Sequence, residues 1–224
     1  MDKIDIILNN IRNDIPFSLA RFNDGEMMGI ERVGAVVARG DQQVNQNLHN
    51  KLIEAITYEQ PNYWKGLPCP HCFPVHAQVA QRMVRSNYPH LTKAVVLTNR
   101  NWKTFTTEFP QLVEDKILWW VSGDDQDLNK LNEVTGLKPA RIFSIPTKNG
   151  WSVYKDIKHG HKFFNTGDIV ILSCGPMSRV LAKEWFQQRP DVTFIDVGAV
   201  FDCWTRNVWL NCHTGKVKSC PGCN

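Results

Sequence analysis

In the run Asp168-Ile-Val-Ile-Leu-Ser173 every interior position is apolar. A strand with one face in water alternates apolar and polar residues. A strand that reads as an unbroken apolar run is covered on both faces, which is the signature of a parallel sheet. Strand candidates recur at Phe17 to Phe22, Ala94 to Thr98, Lys116 to Val121, Ala140 to Ile145 and Val192 to Asp196. Between them lie segments of helical spacing: Ile4, Ile7, Leu8 and Ile11; Leu48, Leu52 and Ile56; Pro74 to Val84; a stretch from Trp102; Asp127 to Val134; Trp151 to Ile157; and Gly175-Pro176 onward to about Gln188. Strand and helix in alternation predict an α/β fold, a mostly parallel sheet with helices on both faces. Ligands of such sheets bind beyond the carboxyl ends of the strands. The residues that matter are therefore those just after each run.

The chain has 224 residues, enough to bury a full core, and is read as one domain over 1–224. Hydrophobic content of 42% and charged content of 21% exclude a disordered or low-complexity chain. The net charge of +4 is small and scattered, so it permits an anionic partner without requiring one. The start, MDKIDIILNNIRNDIPF, lacks the basic and apolar regions of a signal peptide. No apolar run approaches the ~20 residues that span a bilayer. A cytoplasmic location with no membrane span is expected, and with it reduced thiols for the seven cysteines.

Four groups carry candidate chemistry. Arg21-Phe22-Asn23-Asp24-Gly25-Glu26 follows the first strand. If the backbone turns at Gly25, both carboxylates face one point, and hard oxygen ligands suit Mg²⁺ or Mn²⁺ beside substrate phosphates. The alternative is a helix start that Glu26 caps. Ser173-Cys-Gly-Pro-Met-Ser178 joins the strongest strand to a helix, whose free N–H groups and dipole suit a phosphate, with the Ser178 hydroxyl as a further donor. Asn99-Arg100 ends another strand, where the guanidinium fork suits phosphate. Cys69-Pro-His-Cys72 and Cys220-Pro-Gly-Cys223 are two Cys-x-x-Cys knuckles, together the ligand set of a closed structural zinc site. Such a site would tie the tail, about 203–224, back to the first knuckle. Cys174 reads as core, not as a nucleophile.

Arg-Phe-Asn-Asp-Gly-Glu resembles the Arg-Phe-Gly-Asp-Gly-Glu signature of the bacterial glycosyltransferases with the GT-D fold. The resemblance continues in order through Leu97-Thr-Asn-Arg-Asn101, Pro146-Thr-Lys-Asn-Gly-Trp151, Ser173 to Ala182 and Phe194-Ile-Asp-Val-Gly198. It implies a Rossmann-like single domain that moves a sugar from a nucleoside diphosphate donor to a hydroxyl acceptor, a glycan or other molecule. Asp24 and Glu26 would then handle the Mn²⁺ or Mg²⁺ and the donor diphosphate. Arg21, Asn23, Gly25, Asn99, Arg100, Asn149, Gly175 and Ser178 become expected donor contacts. Asp196 and Asp202, at and after the last strand, are candidates for the base that takes the acceptor proton. Here Asn23 replaces the family's usual Gly, and the hydroxyl of Ser178 is displaced by one residue. Two rivals remain: a glycosyltransferase acting on a modified nucleobase in DNA, and a zinc-stabilised nucleic-acid or protein-binding module without catalysis.

Overall fold

The computed structural model describes residues 3–37, 42–210 and His213. In chain order the elements are α1 (Lys3–Arg12), β1 (Ser18–Arg21), α2 (Asp24–Glu31), β2 (Val36–Val37), β3 (Gln42–Gln43), α3 (Gln46–Thr57), β4 (Tyr63–Leu67), α4 (Pro74–Met83), β5 (Leu91–Lys93), α5 (Trp102–Leu112), β6 (Leu118–Gly123), α6 (Leu128–Thr135), β7 (Arg141–Ile145), α7 (Tyr154–Ile157), β8 (Ile169–Ser173), α8 (Met177–Gln188), β9 (Thr193–Asp196) and α9 (Asp202–Thr205). Seven strands form one sheet in the order β5-β4-β1-β9-β8-β6-β7, and every neighbouring pair is parallel. The α/β architecture expected from the apolar runs is the one observed. None of the described helices is long and apolar enough to cross a membrane.

Alternate residues of each strand feed two cores. Ala20, Val121, Val170, Leu172 and Phe194 pack with α2, α3 and α8 on one face. Leu19, Trp120, Ile169, Ile171 and Ile195 pack with α1, α5 and α6 on the other. The connections divide the same way. After β1 the chain turns to the first face, where Met27 and Ile30 are buried. After β9 it turns to the second, where Val197, Val200 and Phe201 are buried. Neighbouring strands whose exits diverge leave a crevice between them at their carboxyl ends. By that rule the ligand end of this sheet is at β1 and β9.

Three local departures from the sequence reading have physical causes. The strand expected at Ala94 to Thr98 lies earlier, at Leu91–Lys93. Ala94 N–H still donates to Leu67 O, but Val96 and Thr98 N–H donate back to Lys93 and Val95 O, which closes turns. A second difference is β4, in the interior of the sheet but without an apolar run, since it carries Lys65 and Gly66. Gly66 is required by close approach: a Cβ there would lie 3.0 Å from Ala94 Cα. Lys65 is fully buried, its Nζ 4.4 Å from the centre of the Tyr88 ring and without a hydrogen-bond partner among the described residues. The third is α2, whose first turn contains Asp-Gly-Glu, so that the helix start capped by Glu26 takes the place of a turn at Gly25.

Burial pulls the Lys65 ammonium down to about 8. Below that pH both folded and unfolded chains carry the charge, and the folded state bears its full desolvation cost. Between about 8 and the ordinary lysine value of 10.5 the folded chain releases its proton first, so this cost fades as pH rises. Lys65→Met should therefore be more stable than the parent at pH 7. The gap should shrink by about 1–2 kcal/mol by pH 10, read by urea unfolding of both proteins at each pH.

Candidate active site

Arg21 is the last residue of β1, and Asp196 the last of β9. Parallel pairing brings the two strand ends together. The Arg21 backbone N–H donates to Asp196 Oδ2 at 3.0 Å, its Nε donates to Asp196 O at 2.7 Å and its NH1 donates to Ala94 O at 3.1 Å. The chain then turns away at Gly198, whose φ is +49°. A Cβ at Gly198 would lie 2.5 Å from Arg21 NH2, so glycine is needed there on two counts. Gly198 N–H donates to the remaining oxygen, Asp196 Oδ1, at 3.1 Å.

Arg179 completes the arrangement from the first turn of α8. Its Nε donates to Arg21 O at 2.7 Å and lies 3.0 Å from Asp196 Oδ2. NH1 donates to Gly175 O at 2.7 Å, and NH2 stands 3.3 Å from Glu26 Oε1. Arg179 and Asp196 are both buried. Burial works against the Arg179 charge, but Asp196 and then Glu26 outweigh it and hold the guanidinium above its ordinary pKa. One side chain thus joins the ends of β1 and β9 to the first turns of α2 and α8. The sequence carried one faint signal for it: a cation opening the otherwise apolar stretch Val180-Leu181-Ala182.

The two carboxylates of the Asp-Gly-Glu motif separate. They occupy the first and third positions of α2, about 200° apart around a helix, and so face different ways. Asp24 is exposed. Glu26 is buried: its Oε2 accepts the Asn23 N–H at 3.1 Å, which caps the helix, and its Oε1 faces Arg179. The backbone forms helix where a turn at Gly25 is the expectation. Gly25 is helical, and a Cβ there would meet only Val37 Cβ at 3.9 Å. Among the described residues no group of three or more His, Cys, Asp or Glu is arranged to hold a metal. Of the two motif carboxylates, the exposed Asp24 offers a hard-oxygen ligand, a donor set that fits Mg²⁺ or Mn²⁺ where phosphate oxygens and water complete the shell.

The other expected residues lie as follows. Gly175 has a φ of +62° and turns β8 into α8 at this crevice. Ser178 is fully buried, and its Oγ accepts the Cys174 N–H at 3.0 Å, so its hydroxyl faces inward. Burial pushes the Cys174 thiol up to about 12, which leaves no thiolate at neutral pH. Asp202 is buried beside Arg206, 3.4 Å away. Asn149 has a φ of +53° and accepts from Gln42 Nε2 at 3.1 Å, while Gln42 Oε1 accepts the Trp151 N–H. Gln42, which no motif singles out, thereby ties β3 to the 149–151 turn. Asn99, with a φ of +54°, begins a short 3₁₀ turn that places Arg100 at a different cavity, shared with Lys3 and Lys93. Cys69 is buried and Cys72 exposed in the loop before α4. Cys220 and Cys223 lie outside the described residues, as does Cys212.

No family model matches the chain. No curated protein matches it either. Solved structures do. One, described as a new glycosyltransferase (DUF1792) from Streptococcus sanguinis, superposes with a TM-score of 0.68 at 17% identity, over 88% of this chain and 80% of that one. A second, described as showing that the highly conserved domain of unknown function 1792 has a distinct glycosyltransferase fold, gives 0.65 at 17% identity, over 88% and 77%. A selenomethionine-substituted structure of the same domain gives 0.67 at 16%, again over 88% and 77%. The chain therefore has the fold described for that domain.

Two substitutions test the buried network. Arg179→Met strands Asp196 as an uncompensated buried charge and should cost about 3–5 kcal/mol in denaturant unfolding. Gly198→Ala forces an unfavourable φ and displaces the Arg21 guanidinium. A loss of about 1–3 kcal/mol is expected by the same measurement.

Proposed function

We propose that this protein is a glycosyltransferase that takes a sugar from a nucleoside diphosphate donor at the β1/β9 crevice. The observation that carries the reading is the convergence of two helix starts on one guanidinium. The first turns of α2 and α8 are both held by Arg179, and the exposed Asp24 carboxylate stands at the first of them. The positive ends of two helix dipoles favour a diphosphate there, and a divalent ion held by Asp24 would give the phosphates a further partner. The shared fold with proteins described as glycosyltransferases supports the same assignment.

In this reading Asp24 holds the divalent ion, and Glu26 is a positioning residue that keeps the start of α2 in place. A bound Mg²⁺ or Mn²⁺ would neutralise the charge that develops on the departing diphosphate. Arg21, Arg179 and Asp196 fix the crevice walls, and Gly175 lets the backbone of the β8–α8 turn come close to phosphate. Asp196 and Asp202 are closed off by burial and by their arginine partners, so they serve the scaffold, and the proton of the acceptor hydroxyl goes elsewhere.

The test is nucleotide release and transfer from a panel of nucleotide sugars, with Mn²⁺ and with chelator. Asp24→Asn should keep the melting temperature within about 2 °C and lower kcat/KM by about 100-fold or more. Glu26→Gln should lower both activity and stability, because it breaks the cap and the contact with Arg179. Turnover that chelator leaves unchanged would remove the metal from the reading. Failure of every donor to bind or react would favour a binding module instead.

The knuckle cysteines are assigned to structural zinc in the same proposal. Purified protein should then carry about one equivalent of zinc, and Cys69→Ser should lower both zinc content and thermal stability without altering donor choice.

A further inference from the structure

A cavity of about 300 Å³ opens beside the edge strand β5, against the start of α1. Its charged lining is Lys3, Lys93 and Arg100, and no carboxylate lines it among the described residues. Leu91, Val95 and Val96 supply apolar wall. Asp24, Glu26 and Gly175 are not among the lining residues, so this is not the crevice between β1 and β9. The two are nevertheless adjacent. Ala94, between Lys93 and Val95, gives its carbonyl to Arg21 NH1 at 3.1 Å.

Three cations around one small cavity repel one another, and a dianion placed among them turns that repulsion into attraction. The volume is at the lower end for small-ligand sites, and apolar walls with a few convergent polar groups are the usual lining of such sites. Val96 and the neighbouring Leu97 are buried in the second core, which makes the wall rigid. Lys3 is further fixed by its Nζ, 5.2 Å from the centre of the Trp64 ring. Lysine heads bind phosphate as point charges, and the guanidinium of Arg100 adds a planar fork.

We propose that this cavity is a binding site for a small phosphate monoester with an apolar body, separate from the Asp24 crevice. The phosphate sits among Lys3, Lys93 and Arg100, and the apolar body lies against Leu91, Val95 and Val96. The site stands independently of the glycosyltransferase reading, because it requires no donor sugar and no metal.

Isothermal titration with metal-free buffer tests it, using phenyl phosphate, inorganic phosphate and phenol as probes. Phenyl phosphate should bind about 10-fold more tightly than inorganic phosphate, and phenol should not bind. Lys93 is exposed, so Lys93→Glu should leave the fold intact while weakening the monoester about 10-fold or more, and Lys93→Met should weaken it less. Asp24→Asn should change the affinity less than about twofold. Three results would overturn the proposal: no binding of any phosphate at millimolar concentration, equal binding by the parent and Lys93→Glu, or loss of binding in Asp24→Asn. The last would place the anion at the crevice. Donor turnover is a separate readout, so the two proposals fail independently.

Discussion

The contact between Arg179 and Asp196 fixes the geometry on which the rest of this molecule depends. Two opposite charges taken out of water are costly, and they persist only when every remaining donor and acceptor is matched. Here the match is nearly complete. Asp196 accepts from the backbone of Arg21 and Gly198, and Arg179 donates to the carbonyls of Arg21 and Gly175. Each partner is main chain at a strand end or a helix start. The pair thereby sets the relative position of β1, β9, α2 and α8 more tightly than apolar packing alone, which tolerates sliding.

That rigidity explains how the motif carboxylates divide their work. A helix cannot aim residues two apart at one point. Glu26 turns inward to the guanidinium and the cap, and Asp24 stays in solvent. The inner carboxylate orders the backbone, and the outer one is left to meet a ligand. Ser178 and Asn149 show the same economy at other strand ends, their polar atoms taken up by Cys174 and Gln42. A polar residue after a strand is as often a brace for the loop as a hand for the substrate.

The sheet was legible wherever burial on both faces had written an apolar run, as at β8, β9 and β6. It was illegible at β4, because Lys65 and Gly66 serve the packing there by means that leave no apolar signature: a cation over a ring, and an absent side chain. The shift of β5 came from turn bonds that follow a strand of three residues, too short to impose periodicity. At the site, strand ends and the order of motifs pointed to Arg21, Asp24, Glu26 and Gly175. The pairing that organises them joins residues 21, 26, 179 and 196, and no local pattern encodes a contact between such distant positions. The same limit applies to Arg100, whose place depends on where Lys3 of α1 comes to rest.

The strand order has a consequence for how the chain assembles. β9 is the last of the described strands, yet it lies in the middle of the sheet, between β1 and β8. Until it arrives, β1, β4 and β5 form one half-sheet and β6, β7 and β8 another, each with a bare inner edge of unpaired N–H and C=O groups. On a ribosome the first half-sheet waits from Lys93 to Thr193 and the second from Ser173 to Thr193, while the chain emerges at about 5–20 residues per second. During that interval the two halves are open to pairing with other chains. Closure by β9 and by its buried carboxylate is then a single late event that ends the hazard and creates the crevice in the same step.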